Sequence, residues 1–498
     1  MAEAILAAVA VLAMGLAGPD VSRTLDRTPP PDAAKELKTS AAELYRLTQT
    51  SSDPRTRGEA EYHLAQALER DDLPAAALIQ LTGIVRSGPA HPLHAAAFER
   101  LIELQRRLGD EYLIPTLISA EPLERWTGLS AGARARASFL LAKVEHRKGN
   151  LKKAQSLLDS IPASSDVNAQ SRYLLGIIAI DPRLPGGPRL DLALQAFREV
   201  LSISSPTQEG LSRAQQLSIL GLARVHYGLQ EYAKSVEWYE RIPRFSEFWD
   251  QALLENGFAR FQNGDPGGAL GSLQSLHAPQ FEGSFQPESW VLTATIYYFN
   301  CLYNEARAAL ASFDATYPPM SRALEGVLDS VTSDDELFAL VGGDARIPRS
   351  VLHWTGENER VQGIVRMLSE VEREIRSLER DADLIMAGLA PELLASLQQN
   401  RGTLRQVGGR LVRNRLEEAA RNIKTFSDQA EIIRFETSKA EKELAEAGMD
   451  QQKILQGQVL RRPALPSDAW QYWKFDGEFW LDEVGYYEHT LKRGCPAK

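Results

Sequence analysis

The chain carries 498 residues, 44% of them hydrophobic and 24% charged, a composition that supports a buried core and excludes global disorder. Its 56 Lys+Arg against 66 Asp+Glu leave a formal charge of −10, which lacks the overall field expected of a nucleic-acid binder. Two cysteines, Cys301 and Cys495, exclude a disulfide-stapled scaffold and a Cys-rich zinc or iron–sulfur site, and leave room for one bridge in an oxidising compartment.

At the N-terminus, residues 5–17 form the apolar run ILAAVAVLAMGLA, followed by Gly18-Pro19-Asp20. A membrane-crossing helix needs about 20 apolar residues, so this run suits the core of a secretory signal, with cleavage after Ala17. Residues 1–17 are therefore expected to be a signal peptide. No Lys or Arg precedes the run and Glu3 does, so an unprocessed N-terminal helix is the alternative. No cysteine lies near the cleavage point to carry a lipid. Residues 18–32, with Pro29-Pro30-Pro31, read as an extended linker. No other stretch approaches 18 apolar residues, so no integral membrane segment is expected in the mature chain.

From 33 to 318 the sequence is almost wholly helical and begins to resemble itself. In RAQQLSILGLARVHYGLQEYAKSVEWYERIP (213–243) two amphipathic helices flank a break at 228–231. Small residues stand at Ala223 and Ser235, where backbones must approach, and Tyr232 and Tyr239 fill the space between. The arrangement recurs around Ala142, Gly149, Ala154 and Leu158, around Gly257, Gly264, Ala269 and Leu273, and around Ala294, Ala306, Leu310 and Phe313 before Pro318. An early copy uses Leu64, Ala65, Ala77, Leu81 and Pro89; another, at Gly176, Ala193 and Phe197, carries the insertion DPRLPGGP. A degenerate copy is expected between His91 and Glu121. The steps from 142 to 176 and from 223 to 257 are both 34 residues. Together these positions resemble the tetratricopeptide repeat, a helix–turn–helix unit that buries its apolar face only by stacking on neighbours. The resemblance implies a right-handed α-solenoid with a concave inner face.

Residues 319–356 lose the pattern, with turns at Gly342-Gly343 and Pro348, and read as a connector. Val361, Ile364, Leu368, Val371, Ile375, Leu378, Ala382 and Ile385 then follow at alternating steps of three and four, a heptad seam, broken by Gly388 and Pro391. Val412, Leu416, Ala419, Ile423, Phe426, Ala430 and Ile433 mark a second, longer helix. An antiparallel coiled-coil hairpin is expected over 357–460, with part of the longer helix seeking another partner. The segment 461–498 holds three of the chain's eight Trp. Such aromatic density is costly to leave in water, so it either packs back on the protein or serves as an exposed docking peptide. The fold expected is thus all-α: solenoid, helical hairpin and aromatic C-terminal segment.

Chemistry finds little foothold. The sequence contains no phosphate-binding glycine loop, no GxSxG and no HExxH. His91 and His94 are spaced for one helix face, but no third ligand completes a metal site. Cys301 stands where the repeat often has a turn glycine and reads as a turn residue or a reactive thiol. Neither catalytic residues, metal, cofactor nor a small-molecule substrate is expected. The basic run Arg401, Arg405, Arg410, Arg413, Arg415, Arg421 and Lys424, opposed only by Glu417 and Glu418, either pairs with acidic 370–381 across the hairpin or forms a partner surface. Nucleic acid is not expected as a partner, since the run lacks interleaved aromatics.

By the repeat resemblance, first-helix positions exposed in the groove would be Tyr62, Gln66, Phe139, Lys143, His146, Tyr173, Arg224, Tyr227, Phe258, Phe261, Tyr298 and Phe299. Aromatics with scattered cations suit peptide recognition. A narrower likeness lies in ESWVLTATIYYFNCLYNEA (288–306) and WKFDGEFWLDEVGYY (473–487), which are similar to exported bacterial repeat proteins, among them those of the adventurous gliding-motility machinery. That resemblance implies a periplasmic, non-catalytic scaffold of a multiprotein envelope assembly, gripping its partners through the groove and the helical hairpin. A carrier or chaperone for unfolded envelope proteins is the alternative, and a cytoplasmic location is the alternative address.

Overall fold

A computed structural model describes residues 39–203, 210–449, 451–456, 458–460, 465, 467–468 and 470–495. The expected signal peptide (1–17) and Pro-rich linker (18–32) lie outside the described residues. Among those described, no helix is long and apolar enough to cross a membrane.

The fold is all-α. Helix pairs stack in chain order: α1 Ala41–Thr50, α2 Pro54–Arg70, α3 Pro74–Ser87, α4 His94–Leu108, α5 Leu113–Ala120, α6 Ala131–Arg147, α7 Leu151–Asp159, α8 Asn168–Ile180, α9 Leu190–Ser202, α10 Arg213–Gly228, α11 Tyr232–Tyr239, α12 Trp249–Gln262, α13 Pro266–Leu276, α14 Glu288–Phe299 and α15 Tyr303–Ser330. Local chemistry starts these helices where the sequence asks. Ser40 with Glu43 and Ser212 with Gln215 form capping boxes, and Asp53 and Asp265 cap helices that open on proline, whose missing N–H is lost there without cost.

One rule ties sequence to stacking. Ala65, Ala142, Ala223 and Ala294 are all 0% exposed, because a neighbouring helix backbone crosses there. Seven residues after each, the chain turns through a left-handed conformation: Asp72 (φ 59°), Gly149 (82°), Gln230 (62°) and Cys301 (54°), with Gly264 (79°) following Gly257. Ile102 and Gly109 (φ 60°) keep the same spacing, so the degenerate copy is a repeat with Ile in the small position. The copy at Gly176 breaks the rule: its insertion takes the turn at Gly186 and Gly187 (φ 96° and 82°). Phe197, fully buried, wedges between Gly176 and Gly221, where added Cβ atoms would overlap its ring.

Past the repeats, α16 Asp334–Leu340, α17 Arg349–Gly356, α18 Glu359–Leu378 and α19 Ala382–Ala387 lead to α20 Leu389–Glu446, and α21 Gln451–Gln456 follows. Two sequence expectations change. Pro318 does not end its helix: α15 runs through Pro318 and Pro319 to Ser330. The two prolines remove two backbone donors, and burial of Tyr317, Leu324 and Val327 at 6, 0 and 2% exposure holds the far half in place. The seam of α18 stops at Leu378; Ala382 and Ile385 are exposed and Leu384 is buried instead, because Asp381 caps a new short helix and resets the register. Gly388 (φ 85°) closes α19, and Pro391 sits in the first turn of α20.

The long helix α20, 58 residues and so about 87 Å in length, organises everything else. Its first part packs on α18, α19 and α3, its middle on α16, and its last part on α14 and α15. Tyr45 of α1 donates to Glu392 at 2.6 Å, while near the other end Arg307 of α15 meets Glu441 and Arg434 meets Asp314 at 2.7 Å. A single apolar cluster accordingly includes the first repeats, the last repeat and α18–α20, and a second holds the middle repeats. The chain's own helices therefore clasp the first and last repeats together. Glu374 of α18, 0% exposed, seals the junction by accepting from the N–H groups of Ala75 and Ala76 at 2.6 and 2.8 Å at the start of α3, where the helix dipole favours an anion. Burial nonetheless pushes its carboxyl up to about 8.

Gly409 lies against the carbonyl of Asp334, which a Cβ would overlap, whereas Gly402 faces open space in the same helix. Gly409→Ala is therefore expected to lift α16 from α20 and cost about 1–3 kcal/mol, while Gly402→Ala gains about 0.5–1 kcal/mol from helix propensity. Thermal melting of the two variants checks the clasp, since equal shifts would contradict it.

Candidate functional site

The inner faces of the first helices were the expected groove, and the structure closes much of it. Phe139, Lys143, Tyr173 and Phe258 are 7, 7, 3 and 4% exposed, and Tyr62, Tyr227, Phe261 and Tyr298 are half-buried. Phe299 alone among the expected aromatics is exposed, at 37%. The exposure inferred for the four core residues is thus corrected. The cations of the expected groove, Lys143 and Arg224, bond to neighbouring repeats rather than facing solvent.

Those contacts form a ladder of charges. Glu69 holds Arg100 through two bonds of 2.8 Å, Glu111 holds Lys143 at 2.9 Å, and Glu255 holds Arg224 at 2.8 and 2.7 Å. Glu69–Arg100 and Glu255–Arg224 join successive first helices, while Glu111, in the turn after α4, reaches Lys143 of α6; the partners stand 31 or 32 residues apart. Glu255 also accepts from the Tyr239 hydroxyl at 2.9 Å. Burial works against charge on Arg224, yet the Glu255 carboxylate raises its affinity for the proton. Burial, and then Glu255, push Tyr239 well above the phenol range. Glu288, 8% exposed on the next first helix, is pushed up to about 8 by burial and by the charge of Glu255. His146 lies 3.6 Å from Asp181, and burial lowers its affinity for a proton.

The structure gathers the expected residues into small groups rather than one surface. Lys143 stands 5.9 Å over Phe139, Tyr227 meets Tyr232 edge-on at 5.3 Å, and Phe261, Phe299 and Tyr298 form a chain of rings 5.8 and 5.5 Å apart. Tyr62 stands apart. Gln66 is engaged by the His63 ring at 2.9 Å. The His91–His94 pair is divided: His91 meets Glu61 at 3.1 Å, and His94 is 4% exposed beside Phe98. No group of three metal-ligating side chains occurs among the described residues. Four members of the basic run are paired, but not with 370–381. Arg405 binds Asp335, Arg413 binds Asp334 at 3.1 Å, Arg415 stacks 3.1 Å over Trp354, and Arg421 meets Glu417 at 3.4 Å. Arg410 and Lys424 are exposed.

The aromatic tail supplies the surface that sequence reasoning placed elsewhere. Residues 470–495 run as an extended strap across the repeats of α11–α15. Arg244 donates to the carbonyls of Leu481, Asp482 and Val484 at 2.9, 3.1 and 2.7 Å. Gly485 N–H donates to the Ser275 hydroxyl at 2.9 Å, His489 N–H to the Gly267 carbonyl at 3.1 Å, and Gly494 N–H to the Asn300 carbonyl at 2.9 Å. Val484 is 0% exposed in the second core cluster. A disulfide joins Cys495 to Cys301 at the left-handed turn of the last repeat. The strap lies on Gly267, Gly271 and Ser275, one face of α13; a Cβ at Gly271 would overlap the Tyr487 carbonyl and one at Gly267 would sit 2.5 Å from that of His489. Three glycines in one helix, at 267, 268 and 271, were the available signal, since glycine weakens a helix interior unless another backbone must come close.

No family model matches the chain, and no curated protein is detectably similar to it. Among solved structures it is similar to a tetratricopeptide repeat protein from Parabacteroides merdae, at 15% identity and a TM-score of 0.34, covering 52% of this chain and 92% of that one. It is also similar to the Cut9–Hcn1 hetero-tetramer of the APC/C, at 11% identity and a TM-score of 0.20, covering 78% and 77%. Neither bears on activity or partners.

Two outcomes follow. Because the folded state holds the Glu288 proton up to about pH 8 and the unfolded chain releases it near the ordinary carboxyl value, this group withdraws stability as pH rises from about 4.5 to about 8. Glu288→Gln should therefore melt above the native protein at pH 8, by at most a few kcal/mol, and alongside it below pH 4. Gly271→Ala should dislodge the strap and cost about 1–3 kcal/mol, read as a lower melting temperature together with faster alkylation of Cys495 under mild reductant.

Proposed function

We propose that this protein is a non-catalytic protein–protein interaction scaffold, exported to the periplasm and acting in a multiprotein envelope assembly, as its likeness to repeat proteins of the gliding-motility machinery implies. The observation that carries the scaffold reading is the clasp. A repeat array left open flexes along its length, whereas α20 ties first and last repeats into one core, giving a rigid frame that presents fixed surfaces at low entropic cost on binding. Export is supported by the Cys301–Cys495 bond, because such bonds persist in oxidising compartments and are rare in the cytosol. The carrier reading needs an open aromatic groove, and the burial of Phe139, Tyr173 and Phe258 counts against it.

The test is crosslinking of the native protein in fractionated cells, with mass spectrometry of its N-terminus and partners. A chain beginning near Gly18 in the periplasmic fraction, with one or two stoichiometric partners, is the expected outcome. A chain retaining Met1 in the cytosol would defeat the export reading, and a diffuse crowd of clients would defeat the scaffold reading.

A further inference from the structure

The docked strap buries Val484 and leaves most of its aromatic surface outside. Trp473, Trp480, Leu481 and Tyr486 are 74, 59, 58 and 50% exposed, a density of exposed apolar side chains along one short segment that marks a site of interaction. Four carboxylates, Asp476, Glu478, Asp482 and Glu483, interleave with these rings, and the one cation of 470–488, Lys474, lies 3.9 Å from Asp476. The segment as a whole carries five acids against that lysine. Aromatic faces and carboxylates together select a cation, by ring-quadrupole attraction and by charge-assisted hydrogen bonds. The strap already binds one such group. The Arg244 guanidinium lies 4.4 Å over the Tyr486 ring while donating to three strap carbonyls. The charge disfavours an anionic lipid surface, which would be repelled.

We propose that the exposed aromatic and acidic face of residues 470–488 docks a Lys- or Arg-bearing peptide segment of a partner protein, an inference that rests on the scaffold reading and specifies the chemistry of its partner. The strap is held by the disulfide, by Val484 and by its backbone bonds to α13, so the backbone from 484 to 495 is in place before the partner arrives and less ordering remains to be done. Rigid Trp and Tyr side chains ringed by charge are the residue types that dominate binding surfaces.

The experiment titrates the full-length oxidised protein with a fluorescein-labelled alternating Arg-Gly decapeptide, followed by anisotropy. Saturable binding that weakens with added salt is expected. Trp473→Ala and Trp480→Ala should each weaken it on the order of tenfold or more, without changing the melting temperature, because both rings are exposed. An Asp482→Asn/Glu483→Gln variant, independent of the rings, should weaken binding and flatten its salt dependence. Unchanged binding in these variants overturns the proposal, as does preference for an alternating Glu-Gly peptide, a chito-oligosaccharide or a phosphatidylcholine vesicle. In cells, partners crosslinked equally by the native chain and the tryptophan variants would leave the scaffold standing and remove this surface from it. A native chain that captures no stoichiometric partner overturns the scaffold reading itself, whatever the peptide does.

Discussion

The structure depends on one shared hydrophobic core between repeats far apart in sequence. In an ordinary repeat array each hairpin touches only its neighbours and stability is nearly a sum of local terms. Here α20 buries Leu393 and Leu397 toward one end and Phe426, Ala430 and Ile433 toward the other, in the cluster that holds first and last repeats. Loosening either end therefore exposes apolar surface belonging to both. The end repeats also need no polar capping face, because α18–α20 cover them.

The clasp changes what the inner face is for. Buried charges are tolerated when paired with good geometry and costly when not. The pairs Glu69–Arg100, Glu111–Lys143 and Glu255–Arg224 meet that condition only if successive repeats keep one register. Residues of the kind that grip a peptide elsewhere here fix the stacking of the protein's own repeats. The recurrent separation of 31 or 32 residues within each pair argues for internal register contacts rather than for scattered sites. It also explains why the surface suited to a partner lies on the tail, outside the repeats' inner face.

Much of the fold was legible because its determinants are local. The small residue marks close backbone approach and the break after it marks the turn, so Ala142 with Gly149, and Ala223 with the break at 228–231, can be read directly, whereas the left-handed turn at Gln230 (φ 62°) cannot. The buried stripe of α20 from Val412 to Ile433 was equally plain. What escaped depends on non-local partners. The heptad pattern of α18 showed an apolar stripe but not that its Glu374 would cap α3. The charge of the basic run showed a need for carboxylates but not that Asp334 and Asp335, rather than 370–381, would supply them. Exposure of Phe139 or Tyr173 was beyond periodicity, because a first helix shows the same stripe whether its inner face meets solvent or the next repeat. Gly271 is the instructive case: three glycines in α13 signal that a backbone comes close, but not that the backbone is the C-terminal strap.

The strap shows how an extended segment is held without a sheet. Its backbone groups, which would be unsatisfied if buried alone, bond to Ser275, Gly267, Asn300 and Arg244 in turn, and the glycines of α13 let the two backbones meet. The disulfide closes a separation of 194 residues, which in the chain-entropy model removes roughly 5 kcal/mol of freedom from the unfolded chain. Anchoring of that strength needs few side chains, and Val484 with partial burial of Phe479, Tyr487 and Leu491 supplies them. The remaining rings of the strap thus exceed what docking requires. Leaving them in water opposes solubility, and the carboxylates between them are what keep so apolar a surface from closing on itself. A surface both exposed and defended against self-association is built to meet something of opposite charge.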